Sequence, residues 1–131
     1  MSDKSTISKA FNTHFFEFID DILRIFPENE DIKNTKKALE LFRKANPTSI
    51  IKAWNTYVFL PYKDVISSGD IRFFCEKDYK NDLSNVSNSD EIMKAIDRIR
   101  DPIKNMSDEN KAHSMKYIQN LCKLTQVYMS L

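Results

Sequence analysis

From Phe11 the apolar residues fall at Phe11, Phe15, Phe18, Ile22 and Ile25, steps of three and four that stack them on one face of a helix ended by Pro27. Phe16, Leu23 and Phe26 widen the stripe as in a bundle helix, while Glu17, Asp20, Asp21 and Arg24 take the outer face. Residues 1–6 precede the pattern and are expected to form a flexible terminus. Asp31 is placed to cap a second helix from Ile32 to about Ala45, with Ala38, Leu39, Phe42 and Ala45 inward. Asn46-Pro47 then supplies a cap followed by proline at the first helical position.

The third pattern, Ile50, Trp54, Val58, Pro61, Tyr62 and Val65, predicts a helix kinked or broken near Pro61, because proline removes one backbone donor and disfavours helix at Leu60. Gly69 suits a left-handed helix end, and Asp70 can cap a short helix through Cys75. The polar run from Lys80 to Asn88 reads as a loop. Ile92, Ile96, Ile99, Ile103 and Met106 mark a fourth helix whose shared face survives Pro102. Ser107-Asp108-Glu109 caps the last helix. That helix carries two stripes, Tyr117, Leu121, Leu124, Tyr128 and Leu131 on one side and Met115, Ile118, Cys122 and Met129 on the other.

One glycine and four prolines in 131 residues leave little material for the tight turns of a β fold. The fold class predicted is therefore all-α: one domain over residues 1–131, a single compact bundle of five or six helices. The stretch from Asn46 to Tyr79 holds the only Trp and the only Gly and is expected to supply a central, proline-kinked helix. Its aromatic set, Trp54, Tyr57, Phe59, Tyr62, Phe73 and Phe74, could stack nucleic-acid bases. Interleaved Ile and Val at helical spacing favour a core instead. The longest apolar window, Ile50 to Ile66, is too polar to sit in a bilayer, and no membrane partner is expected.

Candidate chemistry is sparse. His14, His113, Cys75 and Cys122 lie at no metal-ligand spacing, so no metal, cofactor or Cys-His nucleophile is expected. Carboxylate pairs such as Asp20 with Asp21, or Asp97 with Asp101, read as solvated helix faces. A single glycine cannot build a phosphate-binding loop. No catalytic residue is assigned, and no small-molecule substrate is evident. The polar start of the chain and its unpaired cysteines predict a protein that is not secreted, and the glycosylation triplets at Asn85 and Asn105 carry no weight.

Charge is balanced overall, with 20 basic and 19 acidic residues, but it is unevenly placed. Between Glu17 and Asp31, Glu17, Asp20, Asp21, Glu28, Glu30 and Asp31 meet only Arg24. Between Lys33 and Lys63, Lys33, Lys36, Lys37, Arg43, Lys44, Lys52 and Lys63 meet only Glu40. Acidic and basic helices lying side by side would cancel; an open basic face, extended by Lys111, Lys116 and Lys123, would bind nucleic acid through its phosphates.

Phe26-Pro27-Glu28-Asn29-Glu30-Asp31-Ile32, Ala45-Asn46-Pro47, Leu60-Pro61-Tyr62-Lys63, Gly69-Asp70-Ile71 and Ile99-Arg100-Asp101-Pro102-Ile103 together resemble a family of short uncharacterised proteins of nucleocytoplasmic large DNA viruses. The resemblance runs from about Phe11 to Tyr128. It implies a protein of the infected cell, in the host cytoplasm or the virion, and carries no site residue with it. The expected function is thus a non-enzymatic structural or protein-interaction role, with self-association as a homodimer through Met115, Ile118, Cys122 and Met129. The alternative is a nucleic-acid-binding accessory protein using Lys33, Lys36, Lys37, Arg43, Lys44, Lys111, Lys116 and Lys123.

Overall fold

The computed structural model describes residues 3–69 and 91–131. The expected helix from Asp70 to Cys75, the expected loop from Lys80 to Asn88, Phe73 and Phe74 of the aromatic set, and the side chains of Ile92 and Ile96 lie outside the described residues. Among the described residues there are five helices and no strand. They are α1 (Lys4–Ile25), α2 (Glu30–Ala45), α3 (residues 49–68), α4 (Glu91–Lys104) and α5 (Asp108–Ser130).

Helix α1 starts earlier than the hydrophobic pattern suggests. Asp3 accepts a hydrogen bond from the Thr6 amide at 2.8 Å and so caps a helix whose first turn was expected to be flexible. Phe11, Phe15, Phe18 and Ile22 are all at most 1% exposed, joined by Ile19. Burial of five such side chains stabilises by about 1.5 to 3 kcal/mol each, comparable to the whole stability of a small domain. Helix α2 is capped by Asn29, whose side chain accepts from the Ile32 amide at 3.0 Å, rather than by Asp31. Its inward residues are Ile32, Thr35 and Leu39, with Phe42 packed at the edge and Ala45 exposed.

The corner between α2 and α3 is an Asx turn. The Asn46 side chain accepts from both the amide and hydroxyl of Thr48, at 3.1 and 2.9 Å, and the helix begins at Ser49. Ser8 and Asn12 of α1 both donate to the Pro47 carbonyl, at 3.0 and 2.8 Å, which fastens this corner to α1.

Helix α3 has three parts: α-helix over Ser49–Trp54, a π-helical turn over Asn55–Phe59, and α-helix again over Leu60–Ser68. The proline effect is thus realised as a widened turn just before Pro61 rather than as a break. The Leu60 amide reaches back five residues to the Asn55 carbonyl, and Pro61, which has no amide proton to donate, sits in the turn that follows. Gly69 closes the helix in the left-handed conformation at φ 79°.

Trp54 lies at the centre of the core, 2% exposed, edge-on to Phe11 and Phe15 with ring centroids 6.1 and 5.8 Å away. Helix α4 runs through Pro102, and a short turn leads from it to the Ser107 cap of α5. Ile99, Ile103 and Met106 share a buried face, as their spacing predicts.

Candidate interaction surface

Helix α5 is flanked on more than one side, and that decides which of its residues remain available. On one side it meets α1 in antiparallel fashion. Tyr117 stacks on Phe18 at 5.2 Å and lies 4.8 Å from the His14 ring, while Lys4 sits 5.1 Å over the Tyr128 ring. On the other side it meets α3, where Trp54 Nε1 donates to Cys122 Sγ at 3.4 Å and Gln119 Nε2 donates to the Ile66 carbonyl at 2.9 Å. Near its start, Ser114 Oγ lies 3.3 Å from Met106 Sδ.

A helix wedged between neighbours needs two apolar faces. Leu121 and Tyr128 of one stripe and Met115, Ile118 and Cys122 of the other are consequently core, the last three 5%, 0% and 6% exposed. The expected self-association face is corrected accordingly: these three residues are consumed inside the monomer, and only Met129, past the end of the flanking core, is open to solvent.

What remains outward on α5 is a narrower strip. Lys116, Asn120, Lys123, Val127 and Leu131 are exposed, with half-buried Leu124 beside them. This strip borders a shallow groove of about 570 Å³ between α1 and α5, lined by Ala10, Thr13, His14, Glu17, Asn120, Lys123 and Leu124. A second groove, about 470 Å³, runs between α3 and α5 past Lys63, Asp64 and Cys122. The α1 side of the first groove is lined by Ala10, Thr13, His14 and Glu17, and Thr6, Ala10 and Thr13 recur at helical spacing on the exposed face of α1. That signal was present in the sequence, but a search for large apolar stripes passes over it.

Most of the basic candidates on α2 spend their charge locally. Lys33 pairs with Glu30 of its own helix at 3.3 Å, Lys36 pairs with Asp20 of α1 at 2.6 Å, and the Arg43 guanidinium covers the Phe16 ring at 4.4 Å. Lys37 and Lys44 are exposed and make no ion pair among the described residues. On α5, Lys111 is half-buried and Lys116 and Lys123 are exposed. Helices α2 and α5 each pack on α1, α3 and α4 without an extended interface between them. The acidic outer edge of α1, with Glu17 and Asp20, stands between the two basic sets.

The ionisable groups in the grooves are poorly placed for chemistry. Burial pushes the Cys122 thiol up to about 11, only partly opposed by the hydrogen bond from Trp54, so the nucleophilic thiolate is suppressed. Burial, reinforced by the Asp21 and Glu17 carboxylates, likewise raises the Tyr117 phenol. His14 Nδ1 is 3.9 Å from Glu17, beyond hydrogen-bond reach. No group of three or more His, Cys, Asp or Glu side chains among the described residues could hold a metal ion. No described helix is long and apolar enough to cross a membrane. In comparison with known proteins, no family model matches the chain, and neither does any curated protein or solved structure.

Proposed function

We propose that this chain is a non-enzymatic protein-interaction module that binds its partner along the outward strip of α5 and the adjoining α1 groove. One observation carries the reading: Val127 and Leu131, four residues apart, are 45% and 52% exposed beside Leu124 on a helix whose sides towards α1 and α3 are largely buried. Large aliphatic side chains aligned on a groove gain free energy when another surface covers them. The resemblance to proteins of large DNA viruses would set this binding in the infected cell or the virion.

The nucleic-acid reading receives less support, because Lys33, Lys36 and Arg43 are engaged within the fold and the rest fall on separate helices. A photo-crosslinking amino acid placed at Val127, and separately at Lys44, tests both readings in producing cells. Protein adducts from Val127 and none from Lys44 are expected. Nucleic-acid adducts from Lys44 with nothing from Val127 would reverse the assignment.

A further inference from the structure

Resting on that reading, we infer that the partner fitting the α1 and α5 face is a second copy of this chain, related by a two-fold axis running along the groove. The levels of the two helices are fixed by their contacts. Lys4 is level with Tyr128, while His14 and Phe18 bracket Tyr117. At about 1.5 Å per residue along antiparallel helices, Thr6 stands beside Val127, Ala10 beside Leu124, Thr13 beside Asn120, and Glu17 beside Lys116. Leu124 on the α5 rim therefore stands beside the small Ala10 on the α1 rim. The charges at the far end of the two rims are opposite.

A two-fold axis along the groove keeps each level and exchanges the rims. The second copy's α5 then lies over the first copy's α1, antiparallel to it. Leu124 of each copy covers Ala10 of the other, large on small, and Val127 covers the methyl-bearing side chain of Thr6. Asn120 meets Thr13, two polar groups able to exchange a hydrogen bond. Lys116 meets Glu17, whose side chain is 59% exposed and, among the described residues, makes only a long contact to His14. An axis across the groove would instead set α1 on α1 and α5 on α5, leaving Lys116 without Glu17 opposite it. The same patch is used on both copies, as a closed two-fold contact requires.

The size of the face sets the class of contact. Two adjacent helices, each about 10 Å across and in contact over about 25 Å, cover on the order of 500 Å² per copy, about 1,000 Å² in all. That is the low end for a specific pair of proteins, which places the contact among weak, reversible ones.

Sedimentation velocity on the full chain from about 5 µM to about 1 mM reads this directly. A monomer–dimer equilibrium is expected, weakened about tenfold by Glu17→Lys alone or Lys116→Glu alone, since each places like charges together twice per dimer. The double variant, with both charges exchanged, should recover most of the loss. Unchanged melting temperatures keep these variants interpretable, because both side chains are exposed. A monomeric mass throughout overturns the proposal, and so does a dimer that the single reversals leave intact or the double reversal fails to restore. A monomeric mass with Val127 crosslinked to a different protein leaves the interaction reading standing; a monomeric mass with no crosslink removes both.

Discussion

The indole Nε1 of Trp54 donates to the Cys122 sulfur at 3.4 Å, tying the middle of α3 to the middle of α5. A buried indole needs a partner for its one donor, and a thiol supplies an acceptor while packing as a small apolar group. Trp54→Ala should cost about 3 to 5 kcal/mol, the loss of burial plus the cavity left between Phe11 and Phe15. Chemical denaturation followed by circular dichroism measures it. Native emission from Trp54 should be that of a buried indole, and emission at the fully exposed wavelength would contradict the placement.

Cys122 should be chemically silent in the native state. With Cys75 replaced by Ser to leave one thiol, a disulfide reagent at neutral pH should label the unfolded chain rapidly and the native chain only at the rate of opening. Because folding raises the thiol from 9.0 to about 11, its contribution is fully present below pH 9 and is lost as pH climbs towards 11. Cys122→Ala should flatten that part of the alkaline stability profile.

The two sides of α5 should respond oppositely to charge. Ile118→Lys places an ammonium at a fully buried site and should abolish folding or cost several kcal/mol. Val127→Lys should leave the melting temperature within a few degrees of wild type while removing the photo-crosslinked adducts of neighbouring positions. Equal tolerance at both sites would mean that α5 is turned about its axis relative to the structure.

Little affinity for duplex DNA is expected at physiological salt, and Lys37→Ala with Lys44→Ala should change neither binding nor melting temperature appreciably. The Lys36–Asp20 bridge is solvent-exposed and contributes less than about 1 kcal/mol. If DNA does bind, each phosphate contact lowers the log–log salt slope by about 0.9, and a slope near minus four would show an open basic face. Fluorescence anisotropy at several salt concentrations gives the slope.

The fold was legible in the sequence wherever one helix has one stripe. Phe11, Phe15, Phe18 and Ile22 are buried as their spacing requires, and Ser107 caps α5 where the polar run meets the apolar one. The interaction surface was not legible, for a physical reason. Met115, Ile118 and Cys122 look the same in sequence whether a neighbouring helix or another molecule covers them. Only the placement of α3 against α5 decides between the two. The charge pattern had a similar limit: seven bases against one acid suggested an open face or a neutralised one, and Lys36 reaching Asp20 while Arg43 covers Phe16 shows that part of the basic set is used locally.

The widened turn at Asn55–Phe59 acts as a gear between the two halves of α3. Ile50, Trp54, Val58, Tyr62 and Ile66 recur every fourth residue, and all are at most 3% exposed. In an unbroken α-helix each such step advances about 40° around the axis, so Ile66 would have drifted about 160° from Ile50 and pointed away from the core. The extra residue held in the π turn takes back about 100° of that rotation, keeping the whole row in phase with its neighbours. Regular α-helical bonding over the same residues would swing Tyr62 and Ile66 outward, whereas deleting Thr56 would restore that bonding and leave both facing the core, because the residue removed is the extra one that the turn accommodates. A sequence irregularity that looks like a local defect is what lets a row with a period of four lie straight.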